Sequence, residues 1–192
     1  MTVRQKSLPP KPEDITAIRE AIAQFDPSSS TTIVGEDKAK LRDVFAPTAH
    51  NKALDPATTL VLGARGAGKS FWASVLYNQD TRQLAADLYP RLELDRLRVQ
   101  IGFGGVGRAG VSKDVIDELV PQGQEKTTAA SFWQAVIVGA ALKVIEPDQK
   151  HTPTDMLNRF ADPQDWVDAM AEVDDELTNR GETLLIVFDA LD

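Results

Sequence analysis

The chain has 192 residues, a formal net charge of −8 at pH 7 and no cysteine. These values suit one domain with a substantial core, exclude disulfides and thiolate metal sites, and argue against broad, sequence-independent nucleic-acid binding. With 42% hydrophobic and 26% charged residues the composition is ordinary for a soluble globular protein, and with His50 and His151 as the two imidazoles a zinc site is not expected.

Residues 1–12 are polar and carry Pro9, Pro10 and Pro12, which reads as an N-terminal arm. Ile15, Ile18, Ile22 and Phe25 then recur at helical spacing, and Asp26 to Thr32 reads as a loop. Leu41, Val44 and Phe45 predict a second short helix ending before Pro47. Residues 13–57 are thus a helical lead-in, serving either near a nucleotide base or as a cover for a sheet edge. The N-terminus lacks an apolar signal core and no run reaches membrane-span length, so a cytoplasmic protein is the expectation.

Thr58-Thr59-Leu60-Val61-Leu62 is β-branched and apolar, the pattern of a buried strand. Gly63-Ala64-Arg65-Gly66-Ala67-Gly68-Lys69-Ser70 follows and fits G-x-x-x-x-G-K-[ST], the phosphate-binding loop. Glycines let backbone N–H groups turn toward phosphate oxygens, Lys69 can reach the β- and γ-phosphates, and the Ser70 hydroxyl can ligate Mg²⁺. Residues 70–77 can run as a helix whose N-terminus faces the anion. The expected nucleotide-binding residues are Gly63, Gly66, Ala67, Gly68, Lys69, Ser70 and Phe71.

Thr81 to Leu88 should be helical, ending near Pro90. Leu97, Val99, Ile101 and Phe103 alternate with Arg98, Gln100 and Gly102, the pattern of a half-exposed strand. Gly105-x-Gly107-x-x-Gly110 has dinucleotide-turn spacing, but a βαβ unit with a clear second strand and a following acid is missing, so a mobile glycine-rich loop, with the option of acting as a lid, is the better reading. Val111 to Val120 suggests a short helix stopped at Pro121. Thr128 to Ile145 is the most apolar segment; Gln134, Gly139 and Lys143 interrupt it, which favours a buried core helix with Phe132 and Trp133 as core aromatics. After a loop over 147–153, Trp166, Met170, Val173 and Leu177 mark a helix from near Pro163 to Gly181, its acids forming a solvated face. Thr183 to Asp189 is a buried strand ending in an acid, and Asp189 is the expected Mg²⁺ residue alongside Ser70.

Together, Gly63 to Ser70 and Phe188-Asp189-Ala190-Leu191-Asp192 resemble the bacterial P-loop ATPases of the additional-strand catalytic-glutamate class, nearest to KAP-like and STAND-like signalling ATPases. The resemblance implies a three-layer α/β/α core with a mainly parallel sheet over residues 58–192, continuing beyond Asp192. It also implies that a further strand separates residues 60–62 from 185–188, so that these two are not directly paired. The implied activity is ATP hydrolysis with Mg²⁺ driving a conformational switch, with Lys69 and Asp192 as catalytic residues. Nucleotide, a protein partner or effector domain, and self-association are the implied interactions. Two departures stand out: Ala64 replaces the second lysine of deviant loops, and Ala190 occupies the place where the class often carries its catalytic acid, leaving Asp192 as the substitute. Two other functions fit the same motifs: a small-molecule kinase, and an NTP-gated interaction module without turnover.

Overall fold

The alternation of Leu97, Val99, Ile101 and Phe103 forms a strand in the computed structural model, β1 (Leu97–Gly105), with all four apolar side chains buried. The structure describes residues 15–17, 19–20, 44, 46–64, 66–105, 111–160 and 162–189. The chain divides into two compact units, Met1–Thr31 and Thr32–Asp192. In the first, the described residues 15–17 and 19–20 are helical and exposed, as the spacing from Ile15 predicts; Ile18, Ile22 and Phe25 lie outside the described residues.

In the second unit, a 3₁₀ turn (Thr48–His50) leads into α1 (Asn51–Leu54). The short helix expected to end before Pro47 is not seen at Val44, which is not helical; Leu41 and Phe45 are outside the described residues. Then come α2 (Lys69–Tyr77), α3 (Gln79–Leu88), two 3₁₀ turns (Pro90–Leu92 and Leu94–Arg96) and β1. They are followed by β2 (Val111–Ser112), α4 (Lys113–Leu119), α5 (Glu125–Ile145), α6 (Pro153–Arg159), α7 (Pro163–Arg180) and β3 (Thr183–Phe188). The helix expected from Val111 begins two residues later because Val111 and Ser112 pair with β1. Helix α6 has no counterpart in the sequence reading. Thr152 and Asp155 close a reciprocal capping box around Pro153, a local signal that precedes too short an apolar pattern to read as periodicity.

The sheet is all parallel with strand order β2-β1-β3. The β1–β3 register runs from Leu97 opposite Thr183 to Phe103 opposite Phe188, shifting between Ile101 and Phe103. Neighbouring residues of a strand point to opposite faces, and Leu185 and Val187 join one cluster while Leu184 joins another. Helices therefore flank both faces: α2 and α3 on one, where Val75, Leu76 and Ala85 meet Leu97 and Val99, and α5 to α7 on the other. A third cluster of Phe103, Val111, Phe132 and Val136 closes the sheet where β1 meets β2. Phe132 is a core aromatic and Trp133 packs beside it, as expected.

Three expectations are corrected here. Residues 58–62 form no strand, and Leu60, Val61 and Leu62 are 69%, 41% and 83% exposed, because no neighbouring backbone among the described residues pairs with them. Strand β3 is half-buried rather than buried, since it is an edge of the described sheet. Thr128–Ile145 does have the length and hydropathy of a membrane span, with a mean hydropathy of 1.5, although 44% of that stretch is buried within this fold. The glycine-rich segment divides: Gly102 to Gly105 belong to β1, and 106–110 lie outside the described residues.

Candidate functional site

The glycine loop is organised around its own lysine. Lys69 is the first residue of α2, and its Nζ donates to the carbonyls of Gly63 at 2.7 Å and Ala64 at 3.3 Å. For the chain to fold back this tightly, Gly66 and Gly68 adopt φ of 82° and 83°, a region costly for residues with a Cβ. The Ala67 N–H donates to the Ala64 carbonyl at 3.1 Å and closes the turn. At Gly63 an added Cβ would lie 3.3 Å from that of Ala67, so a side chain there would crowd the turn. Arg65 lies outside the described residues.

The helix start supplies the electrostatics. The Trp72 N–H donates to the Gly68 carbonyl at 3.0 Å, while the N–H groups of Gly68, Lys69, Ser70 and Phe71 have no acceptor among the described residues. Four donors without an acceptor among the described residues, at the positive end of a nine-residue helix and beside an exposed ammonium, have the chemistry that suits an anion. These residues fit a phosphate group.

Aromatic packing surrounds Trp72, one turn into α2. Trp72 Cδ1 lies 4.0 Å from where a Cβ on Gly68 would stand. The indole meets His50 edge-on at a centroid distance of 5.5 Å and Tyr89 at 6.3 Å, while the Tyr89 hydroxyl donates to the Pro47 carbonyl at 2.7 Å. The segment before the loop is thereby fastened to α2 and α3. In the sequence His50 stands out only as an imidazole that could bind a metal, and no periodicity joins it to Trp72. Its Nδ1 is buried without a hydrogen-bond partner among the described residues.

Asp189 follows β3 directly, and its N–H donates to the Phe103 carbonyl at 2.8 Å, extending the ladder by one residue. Before it, the Phe188 ring lies over Gly102 and packs 5.8 Å from Trp133. Phe71 and Trp72 of α2 share a cluster with Leu185 and Val187 of β3, so the helix after the loop and the strand before Asp189 belong to one packed unit. Among the described residues no hydrogen bond or ion pair joins Asp189 to Lys69 or Ser70, and no group of three acidic or imidazole side chains is poised for a metal. Ala190, Leu191 and Asp192 lie outside the described residues. Two further concavities, beside Arg159 and beside Lys143, have no loop residue in their lining.

Comparison with known proteins identifies no relative. No protein-family model matches the chain, and neither a curated protein nor a solved structure does.

Proposed function

We propose that the loop from Gly63 to Ser70 binds the phosphates of ATP with Mg²⁺, as the nucleotide site of a P-loop NTPase with a three-layer α/β/α core. The observation that carries this reading is the run of N–H groups from Gly68 to Phe71, without acceptors among the described residues, beside the Lys69 ammonium. Gly63, Gly66, Ala67 and Gly68 would shape the cradle, and Ser70 and Asp189 would hold the metal, which supplies positive charge against the β- and γ-phosphates. Lys69 would exchange two carbonyl acceptors for phosphate oxygens, a gain because charge-assisted hydrogen bonds are the stronger kind. Hydrolysis, with Asp192 polarising water, is the proposed outcome in the KAP-like or STAND-like manner, coupled to a switch that a partner or effector domain reads.

The experiment is thermal or chemical unfolding with and without Mg²⁺ and ATP. At about 100 times Kd, ligand should add roughly 2.7 kcal/mol to unfolding stability. Lys69→Ala should remove that increment and leave the unliganded stability unchanged, because Lys69 is exposed and bonds only local carbonyls. Absence of any nucleotide effect on the folded protein would refute the reading. Ala190, next to Asp189, favours a second reading in which nucleotide binds without turnover; free phosphate released over many turnovers would exclude it.

A further inference from the structure

A second positively charged concavity lies at the other end of α2. It measures about 450 Å³ and takes its lining from Tyr77, Gln79, Arg82, Arg98, Lys143 and Arg180, with no carboxylate residue in the lining. Tyr77 is the last residue of α2, and a nine-residue helix is about 13 Å long, which separates this concavity from the loop ahead of Lys69. The four cations come from four elements, α3, β1, α5 and α7, that are joined only by the tertiary fold.

The charge there is incompletely compensated. Arg98 pairs with Glu182, and Arg180 pairs with Glu176 at 2.6 Å. Arg82 and Lys143 have no carboxylate partner among the described residues. Arg82 is only 7% exposed and spends Nη1 on the Leu76 and Tyr77 carbonyls at 2.7 and 3.2 Å, which ends α2 but cancels no charge. Burial, and then the nearby Arg98, hold the Arg82 guanidinium below its usual pKa; burial does the same to the Lys143 ammonium, although the residue as a whole is exposed. Two of the four cations at this concavity, Arg82 and Lys143, are thus held in part out of water without a neutralising carboxylate among the described residues. An incoming anion would supply the missing countercharge.

We propose that this concavity is a binding site for a small anion carrying two or more phosphate groups, distinct from the glycine loop. Guanidinium forks match phosphate oxygens in pairs, and the volume suits a short phosphate chain rather than a folded partner. The same chemistry could come from inorganic polyphosphate or from the phosphate tail of a nucleotide.

The test is calorimetric titration of the full chain with sodium tripolyphosphate, free of Mg²⁺ and at constant ionic strength, in a Lys69→Ala background. Binding of about one equivalent is expected to persist there. Adding Lys143→Gln should weaken it about tenfold, the effect of losing one charged hydrogen-bond partner. Gln79→Glu, an exposed change at the start of α3 that suits a helix N-terminus, should weaken it as well and serves should the lysine variant fold poorly. Loss of binding through Lys69→Ala alone, indifference to both lining variants, or equal affinity for sulfate would each overturn the proposal. Titration with ATP in the same background identifies the source: affinity equal to tripolyphosphate means that phosphates alone are read, and a higher one points to a nucleotide.

Discussion

Single atoms decide how the site is held. Gly102 stands where β1 passes beneath the Phe188 ring, and an added Cβ would meet Phe188 Cε1 and Cζ at 2.7 Å and Ile186 Cγ2 at 3.1 Å. Phe188 packs edge-on against Trp133, so making room for that Cβ disturbs this contact next to Asp189. Gly102→Ala should therefore cost about 1–3 kcal/mol of stability, the range for overpacking. Urea unfolding measures the cost, and an unchanged midpoint would mean that Phe188 has room to turn aside. Under the proposed function the same variant should also raise the Mg²⁺ concentration needed for nucleotide binding. The sequence marked Asp189 by its place after an apolar strand. It carried no sign that Gly102 sets the position of that strand's end, because the contact joins residues 86 positions apart.

At the scale of elements, a polar clasp fastens the end of α5 to α6. Glu146, just beyond α5, receives both terminal nitrogens of Arg159 at 2.8 and 3.0 Å, while His151 Nε2 lies 2.8 Å from the Glu146 carbonyl. The Arg159 hydrogen bonds, opposed by some desolvation, hold the Glu146 carboxyl below its usual pKa. Asp155 is lowered too, chiefly by the Thr152 hydroxyl within the cap of α6. A carboxyl depressed in the folded state contributes stability that is complete above its unfolded pKa of about 4.3 and lost as pH falls through the folded value. Stability should thus fall between about pH 5 and pH 3, and Glu146→Gln should shrink that fall while lowering stability at pH 7. Urea midpoints at the two ends of the range give the comparison, and an identical acid loss in both proteins would show that the clasp contributes nothing. Arg159 and Glu146 are 13 residues apart with a loop and a helix between them, and no spacing rule pairs them.

For the whole molecule, the telling feature is what surrounds the sheet. Leu60 to Leu62 look like a central strand by composition, yet they lie outside the ladder and β3 is an edge of the described sheet. Leu62, at 83% exposed, should tolerate serine within about 0.5 kcal/mol. Leu76, at 7% exposed within the cluster under β1, should lose about 2–5 kcal/mol on replacement by alanine. Comparable losses at both positions would mean that residues 60–62 are paired in solution. Among the described residues no ladder links 60–62 to 185–188, and no strand lies beside β3 on the side away from β1.

The sequence alone determined what depends on local chemistry. The turn at Gly66 and Gly68, the helix after Lys69, the alternation that builds β1, the apolar helix α5 and the αL glycine that ends α7 each follow from residue type and short spacing. Such features are legible because φ preferences and hydrophobic periods act over a few residues. Only the tertiary structure decided which strands pair, that Trp72 meets both His50 and Tyr89, and that Arg82, Arg98, Lys143 and Arg180 share one concavity. A strand's pairing depends on whether another backbone lies alongside it, and a charge cluster depends on distances in space. Neither is a property of the segment itself, so the apolar run at 58–62 reads as a strand even where no partner meets it.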